Sequence, residues 1–199
     1  MLHDYVPELL QRVRRRFPVF RLQLHEAARA DAERLLQAGE VDLAITIIDS
    51  KRRPQVQSRP LLELPLILLV NKKHHLTNAK QLWSRDKIEE TLINFSRGDT
   101  LQTHFQRGLD RFGVEWFPGI EVNSTRLIEH YVVNGYGIGA TVATPGFEPP
   151  PGVRVIPLPT FPPVVVGAAW AGKLSPIAQQ FLAEVEIEAN AVKHSTKLR

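Results

Sequence analysis

The stretch Leu35-Leu36-Gln37-Ala38-Gly39-Glu40-Val41-Asp42-Leu43-Ala44-Ile45 closes a helix, turns and opens a strand. Upstream, Ala32, Leu35 and Leu36 keep helical spacing, and Gly39 suits a left-handed cap. Downstream, Val41–Ile48 is a nearly continuous aliphatic run, as expected of a strand buried on both faces of a parallel-type sheet. Leu64–Val70 makes the same case a second time. The polar stretch Asp49–Arg59 between them, which holds Lys51, Arg52, Arg53 and Pro54, reads as a surface loop.

Towards the amino terminus, Val6, Leu9, Leu10, Val13 and Phe17 fall on one face of a helix over 5–17, which Pro18 stops. Phe20, Leu22 and Leu24 then alternate with Arg21, Gln23 and His25 as in a strand. Towards the carboxyl terminus, strands are expected at Leu92–Phe95, Ile120–Val122, Ile138–Val142, Val153–Leu158 and Val164–Trp170. Between them lie a helix after Asp99 or Thr100 that ends at Gly113, and a helix after Asn123 or Ser124 that ends at Asn134-Gly135. A last helix starts at Ser175-Pro176, and Lys193–Arg199 reads as a frayed tail. Strands alternating with helices on short connections give an α/β fold class.

Composition narrows the function. The 199 residues carry 43% hydrophobic and 23% charged side chains, the balance of a folded globular chain. No apolar run approaches the roughly 20 residues of a membrane-spanning helix, so a cytoplasmic address with no membrane partner is expected. The absence of cysteine excludes disulfides, thiol catalysis and thiolate metal sites. A net charge of +4 is spread along the chain apart from Arg12, Arg14, Arg15 and Arg16, which read as a solvated helix face. His3, His25, His74, His75, His104, His130 and His194 show no metal-ligand spacing, and neither a Gly-x-Ser-x-Gly elbow nor a phosphate loop is present. No metal, no cofactor and no catalytic residue is expected. Gly135-Tyr136-Gly137-Ile138-Gly139 follows a helix and precedes a strand, the reverse of the dinucleotide-binding order.

Four segments carry a family resemblance. They are Tyr5–Leu10 with Arg15-Arg16-Phe17-Pro18, the opening stretch Leu35–Ile45, Leu64–Val70 with Lys72-Lys73-His74, and Val132-Val133-Asn134-Gly135-Tyr136-Gly137-Ile138-Gly139. In this order the chain resembles the regulatory, effector-binding domain of LysR-type transcriptional regulators. His75 departs from the pattern, standing where the family prefers proline, and Ala143-Thr144-Pro145 replaces the usual Leu-Pro.

The resemblance implies two Rossmann-like lobes of the type 2 periplasmic-binding-protein fold, joined by two crossover segments. Lobe I would comprise 1–70 with 160–199 and lobe II 71–159, the first strand and the winged helix-turn-helix being absent from this chain. A small effector would bind between the lobes. The domain would form a homodimer, with a tetramer for the full-length protein, and would meet DNA only through the missing N-terminal domain. No reaction is catalysed on this reading. Two alternatives share the scaffold: a transporter's solute-binding protein, which needs export, and an enzyme.

Candidate effector-binding residues follow from the strand-to-helix turns. Ser96, Arg97, Asp99 and Thr100 form one such turn, and Asn123, Ser124 and Thr125 repeat its geometry, both offering hydroxyls and N–H groups to a carboxylate or other small anion. The same residues also read as ordinary helix caps. Arg29, placed by resemblance, and Arg97 would favour an anionic effector. Thr46, on the strand after Asp42, either faces the pocket or packs into the sheet.

Overall fold

A computed structural model of the chain describes residues 5–17, 21–27, 29–48 and 55–196. The elements run α1 (Tyr5–Arg16), α2 (Arg29–Ala38), β1 (Ala44–Ile47), β2 (Val56–Leu64), β3 (Leu66–Asn71), α3 (Lys80–Trp83), β4 (Leu92–Phe95), α4 (Thr100–Asp110), β5 (Pro118–Val122), α5 (Thr125–Val133), β6 (Ile138–Val142), β7 (Val153–Pro157), β8 (Val164–Ala171) and α6 (Pro176–Thr196). They divide into two compact units, Met1–Glu63 with Val165–Arg199, and Leu64–Val164. Among the described residues, no helix is long and apolar enough to cross a membrane.

The first unit is built on a sheet of order β1-β8-β2. Its core gathers Val13 of α1, Leu61 of β2, Ala168 and Trp170 of β8, and Leu182, Val185 and Ala189 of α6. That set needs the apolar faces of both helices turned to the same sheet. Arg14, Arg15 and Arg16 lie on the exposed side of α1, as the charge run suggests, and Arg16 pairs with Glu184 of α6. Gly39 takes φ 70° after α2, and the Glu40 N–H reaches the Leu35 carbonyl at 2.9 Å, so the chain reverses there as its sequence indicates.

Several expectations are corrected in this unit. β1 pairs antiparallel with β8, Ala44 facing Ala169, and is half-buried, not covered on both faces. Apolar continuity reports coverage and carries no information about direction, which depends on where the partner strand returns from. Arg21–Ala27 forms no strand and is exposed, with Phe20 outside the described residues. Alternation makes a strand only where a neighbouring strand offers hydrogen bonds. The loop expected up to Arg59 is overtaken by β2 from Val56 onward. β2 closes one edge of the sheet, where exposed Gln57, Ser58 and Arg59 face water and Pro60 is tolerated. Residues 49–54 lie outside the described residues. The tail expected from Lys193 stays helical to Thr196, and residues 197–199 lie outside the described residues.

The second unit holds a mixed sheet of order β5-β4-β6-β3-β7. β4 is parallel to both β5 and β6, while β3 is antiparallel to β6 and β7, again against the parallel-type expectation for the Leu64–Val70 run. Leu66–Val70 is wholly buried in the middle of this sheet. α5 lies directly over β6, because Gly139 leaves room for the Ile128 and Val132 side chains; a Cβ there would stand 2.4 Å from Ile128 Cγ2. Elsewhere in this unit Phe105 and Leu109 of α4, Trp116 and Phe161 fill an aromatic core.

Candidate functional site

β4, β5 and β6 all run the same way, so their carboxyl ends share one edge of the sheet, where an open α/β layer presents helix amino termini and free polar groups. β4 leads through Ser96, Arg97 and Gly98 into α4. β5 leads through Asn123 and Ser124 into α5. The two turns are tied together: the Ser96 N–H donates to the Val122 carbonyl at 3.0 Å, and the Arg97 N–H to Glu121 Oε2 at 3.0 Å. Thr125 Oγ1 lies 3.4 Å from Thr141 Oγ1 of β6, bringing the third strand into the cluster. Ser96, Arg97, Asp99, Thr100, Asn123, Ser124 and Thr125 are thus brought to one edge, with the Arg97 side chain exposed.

Two of these residues are caps. Asp99 accepts from the Leu101 N–H at 2.7 Å at the start of α4, and Ser124 accepts from the Leu127 N–H at 3.4 Å at the start of α5. Thr100 and Asn123 are not the capping side chains. The difference decides where an anion fits. The Asp99 carboxylate already meets the positive end of α4, whereas the Ser124 hydroxyl leaves the end of α5 uncharged. Replacing Asp99 with Ala is expected to cost about 1 kcal/mol in urea unfolding, the value of a lost cap.

The other two candidates belong to the first unit. Thr46 is half-buried on β1 opposite Gly167 of β8. Arg29 opens α2, and its side chain lies outside the described residues.

Asn94 and Thr141 were not singled out by the sequence reading. Both are essentially buried, at 2% and 1% exposure, in strands that otherwise read as apolar. Asn94 Oδ1 accepts from the Phe95 N–H at 2.7 Å, while its Nδ2 has no partner. Their signal was present as a polar residue interrupting Leu92–Phe95 and another interrupting Ile138–Val142. A surface depression lined by Thr91, Leu92, Trp116 and Gly119 lies at the other, amino-terminal end of β4 and β5.

A second polar cluster sits beyond β3. His74, His75 and Glu90 bring their donor atoms within 4.8 Å of one another, a juxtaposition that their spacing in the chain conceals. Arg85 Nη1 grips both Glu90 oxygens at 2.7 and 2.9 Å, and its Nη2 lies 3.1 Å from His75 Nε2. A guanidinium therefore already supplies the cation that these groups face. Burial, then the charges of His75, Arg85 and Arg154, hold the His74 imidazole below its ordinary value against the pull of Glu90. Burial pushes the Glu90 carboxyl up, but hydrogen bonds from Arg85 and the backbone, with the Arg85 and His74 charges, leave it below the usual range.

Over residues 1–189 the sequence matches the family described as the LysR substrate binding domain. The chain belongs to that family. It is similar to the HTH-type transcriptional regulator cbl of Escherichia coli K12, with 28% identity over 134 residues that make up 67% of this chain and 42% of that protein. It is also similar to the HTH-type transcriptional regulator SsuR of Burkholderia cenocepacia, at 23% over 155 residues, 78% of this chain and 50% of that protein. The chain spans half or less of the length of these curated relatives. Its fold is shared with the regulatory domain of Synechocystis PCC6803 CcmR, solved in complex with 2-PG, at a TM-score of 0.79 and 20% identity, covering 94% of this chain and 91% of that one. This LysR-family chain accordingly has the two-unit α/β architecture of the type 2 periplasmic-binding-protein-like fold, and the family resemblance read from its four segments is correct.

Proposed function

We propose that this LysR-family chain is the sensing part of a transcriptional regulator. Its second unit takes a small effector with an anionic group at the carboxyl edge of β4, β5 and β6. The observation that carries this reading is the pairing of two helix amino termini, α4 and α5, over one strand edge, with Ser96, Arg97, Thr100, Asn123 and Thr125 around them and Thr141 beneath. Backbone N–H groups, hydroxyls and a guanidinium are the donors that a carboxylate or similar anion requires. The 2-PG complex of CcmR supports the reading that this fold holds small molecules. The chemistry is recognition alone, and the two units serve as regulatory lobes I and II.

Effector binding acts by shifting a conformational population, since a ligand biases a regulator only through different affinities for its states. The output is repositioning of DNA-binding segments in a homodimer, tetrameric in the full-length protein, with DNA contacted through an N-terminal helix-turn-helix. The naming of the curated relatives as HTH-type regulators supports that assignment.

The test is a thermal-shift screen with small organic acids, amino acids and aromatic metabolites, followed by calorimetry on Arg97→Ala and Thr100→Ala. Saturable stabilisation that both variants weaken is expected, because a ligand bound only to the native state raises its apparent stability. Asp99→Asn sharpens the test: it keeps a good cap while removing negative charge, so anion affinity is expected to rise by roughly threefold. Unchanged affinity in all three variants would place the ligand elsewhere.

A further inference from the structure

We propose that the His74-His75 turn is a pH-sensitive latch of the second unit, closed while the His74 imidazole is neutral and released when it takes a proton. The hydrogen bonds fix the roles of the ring nitrogens. His74 Nδ1 accepts from the Leu76 N–H at 3.1 Å, so in the neutral ring the proton sits on Nε2, which points to Glu90 Oε1 at 3.6 Å. His75 Nε2 lies 3.1 Å from Arg85 Nη2; a guanidinium can only donate, so this nitrogen is the acceptor. Each ring therefore holds the turn through a lone pair that protonation would remove.

The surroundings oppose charge on the His74 ring. The two imidazoles stack with centroids 4.5 Å apart, so protonating both sets like charges face to face. Arg85 approaches from the segment after α3. Arg154 of β7 straps the turn from another side, donating to the Leu76 carbonyl at 2.8 Å and the Lys72 carbonyl at 3.0 Å. Lys72 and Lys73 belong to the same turn, and Glu90 is the counter-charge, already engaged by both Arg85 bonds. An opened turn releases the half-buried His74 ring to water, where it protonates freely. Acid therefore favours the open form, by up to about tenfold per pH unit for the proton that His74 takes up.

The same arrangement makes a metal site a poor reading of the cluster. Arg85 fills the space between the donors, and His74 presents an N–H where a ligand lone pair would be needed.

The experiment follows the Leu76 amide and the His74 ring by NMR between pH 7.5 and 5 in the intact chain, with His75→Gln as the comparison. Glutamine at this exposed position keeps an acceptor for Arg85 but cannot be charged. In the wild type, the Leu76 amide is expected to leave its hydrogen-bonded position with the same midpoint as His74, and its exchange, corrected for pH, to quicken by roughly tenfold. In His75→Gln the Leu76 response should persist and follow the His74 midpoint, which moves upward once the neighbouring imidazole charge is gone. A Leu76 amide indifferent to pH, a Leu76 midpoint that fails to move with that of His74 in His75→Gln, or loss of the whole unit's amides at the same midpoint would each overturn the latch.

Discussion

Gly137→Ala is expected to lower the unfolding free energy by about 3 kcal/mol, at the upper end of what overpacking costs. A Cβ at residue 137 would stand 2.1 Å from the Thr91 carbonyl oxygen and 3.0 Å from its carbon. The obstacle is backbone, which no rotamer change can move aside. That oxygen also accepts from the Ile138 N–H at 2.9 Å, at the point where Leu92 of β4 pairs with Ile138 of β6. Relieving the clash means parting the first rung of the β4–β6 ladder, and the carboxyl ends of those strands carry the candidate site. Urea unfolding should show a shifted midpoint at an unchanged slope. A loss below about 1 kcal/mol would mean that the ladder shifts more easily than its packing implies.

Phe105→Ala is expected to cost 3–5 kcal/mol, about the range for removing a buried aromatic ring. Phe105 is 1% exposed on the inner face of α4, stacked on Phe161 at 5.6 Å and edge-on to Trp116 at 6.4 Å between centroids. Phe161 is itself pressed against Gly108, where a Cβ would lie 2.1 Å from the ring, so the rings cannot slide along α4 to fill the gap. The loss has a functional side, because α4 presents Thr100 and the Asp99 cap at its amino end. The variant should therefore show faster amide exchange along α4 as well as a lower melting temperature. Equal protection of α4 in both proteins would show that the helix is held independently of this ring.

What could be read from the chain divides along a physical line. Local signals were reliable: the apolar runs at Leu92–Phe95, Ile138–Val142 and Val164–Trp170 are strands, Gly39 reverses the chain, and Asp99, Ser124 and Ser175 sit where caps were expected. Properties set by partners were not. The antiparallel pairing of β1 and β3 depends on β8, β6 and β7, which arrive from distant sequence. The apolar alternation at Leu22 and Leu24 makes no strand, while β2 forms at a sheet edge from residues polar enough to resemble a loop. The candidate site was legible as two strand-to-helix turns, because caps and glycines are local. The contact of Thr125 with Thr141, and the meeting of His74 with Glu90, required the sheet to be assembled first.

Hydrogen exchange at single-amide resolution, with and without a ligand that saturates the domain, tests the effector assignment most directly. An anionic group seated over the strand edge must engage the first-turn amides of α4 and α5 that the caps leave open, so those of Thr100, Gln102, Thr125 and Arg126 should exchange at least about tenfold more slowly in the complex. Protection confined to the opposite end of the strands, around Thr91 and Gly119, with these two helix starts unaffected, would contradict the assignment.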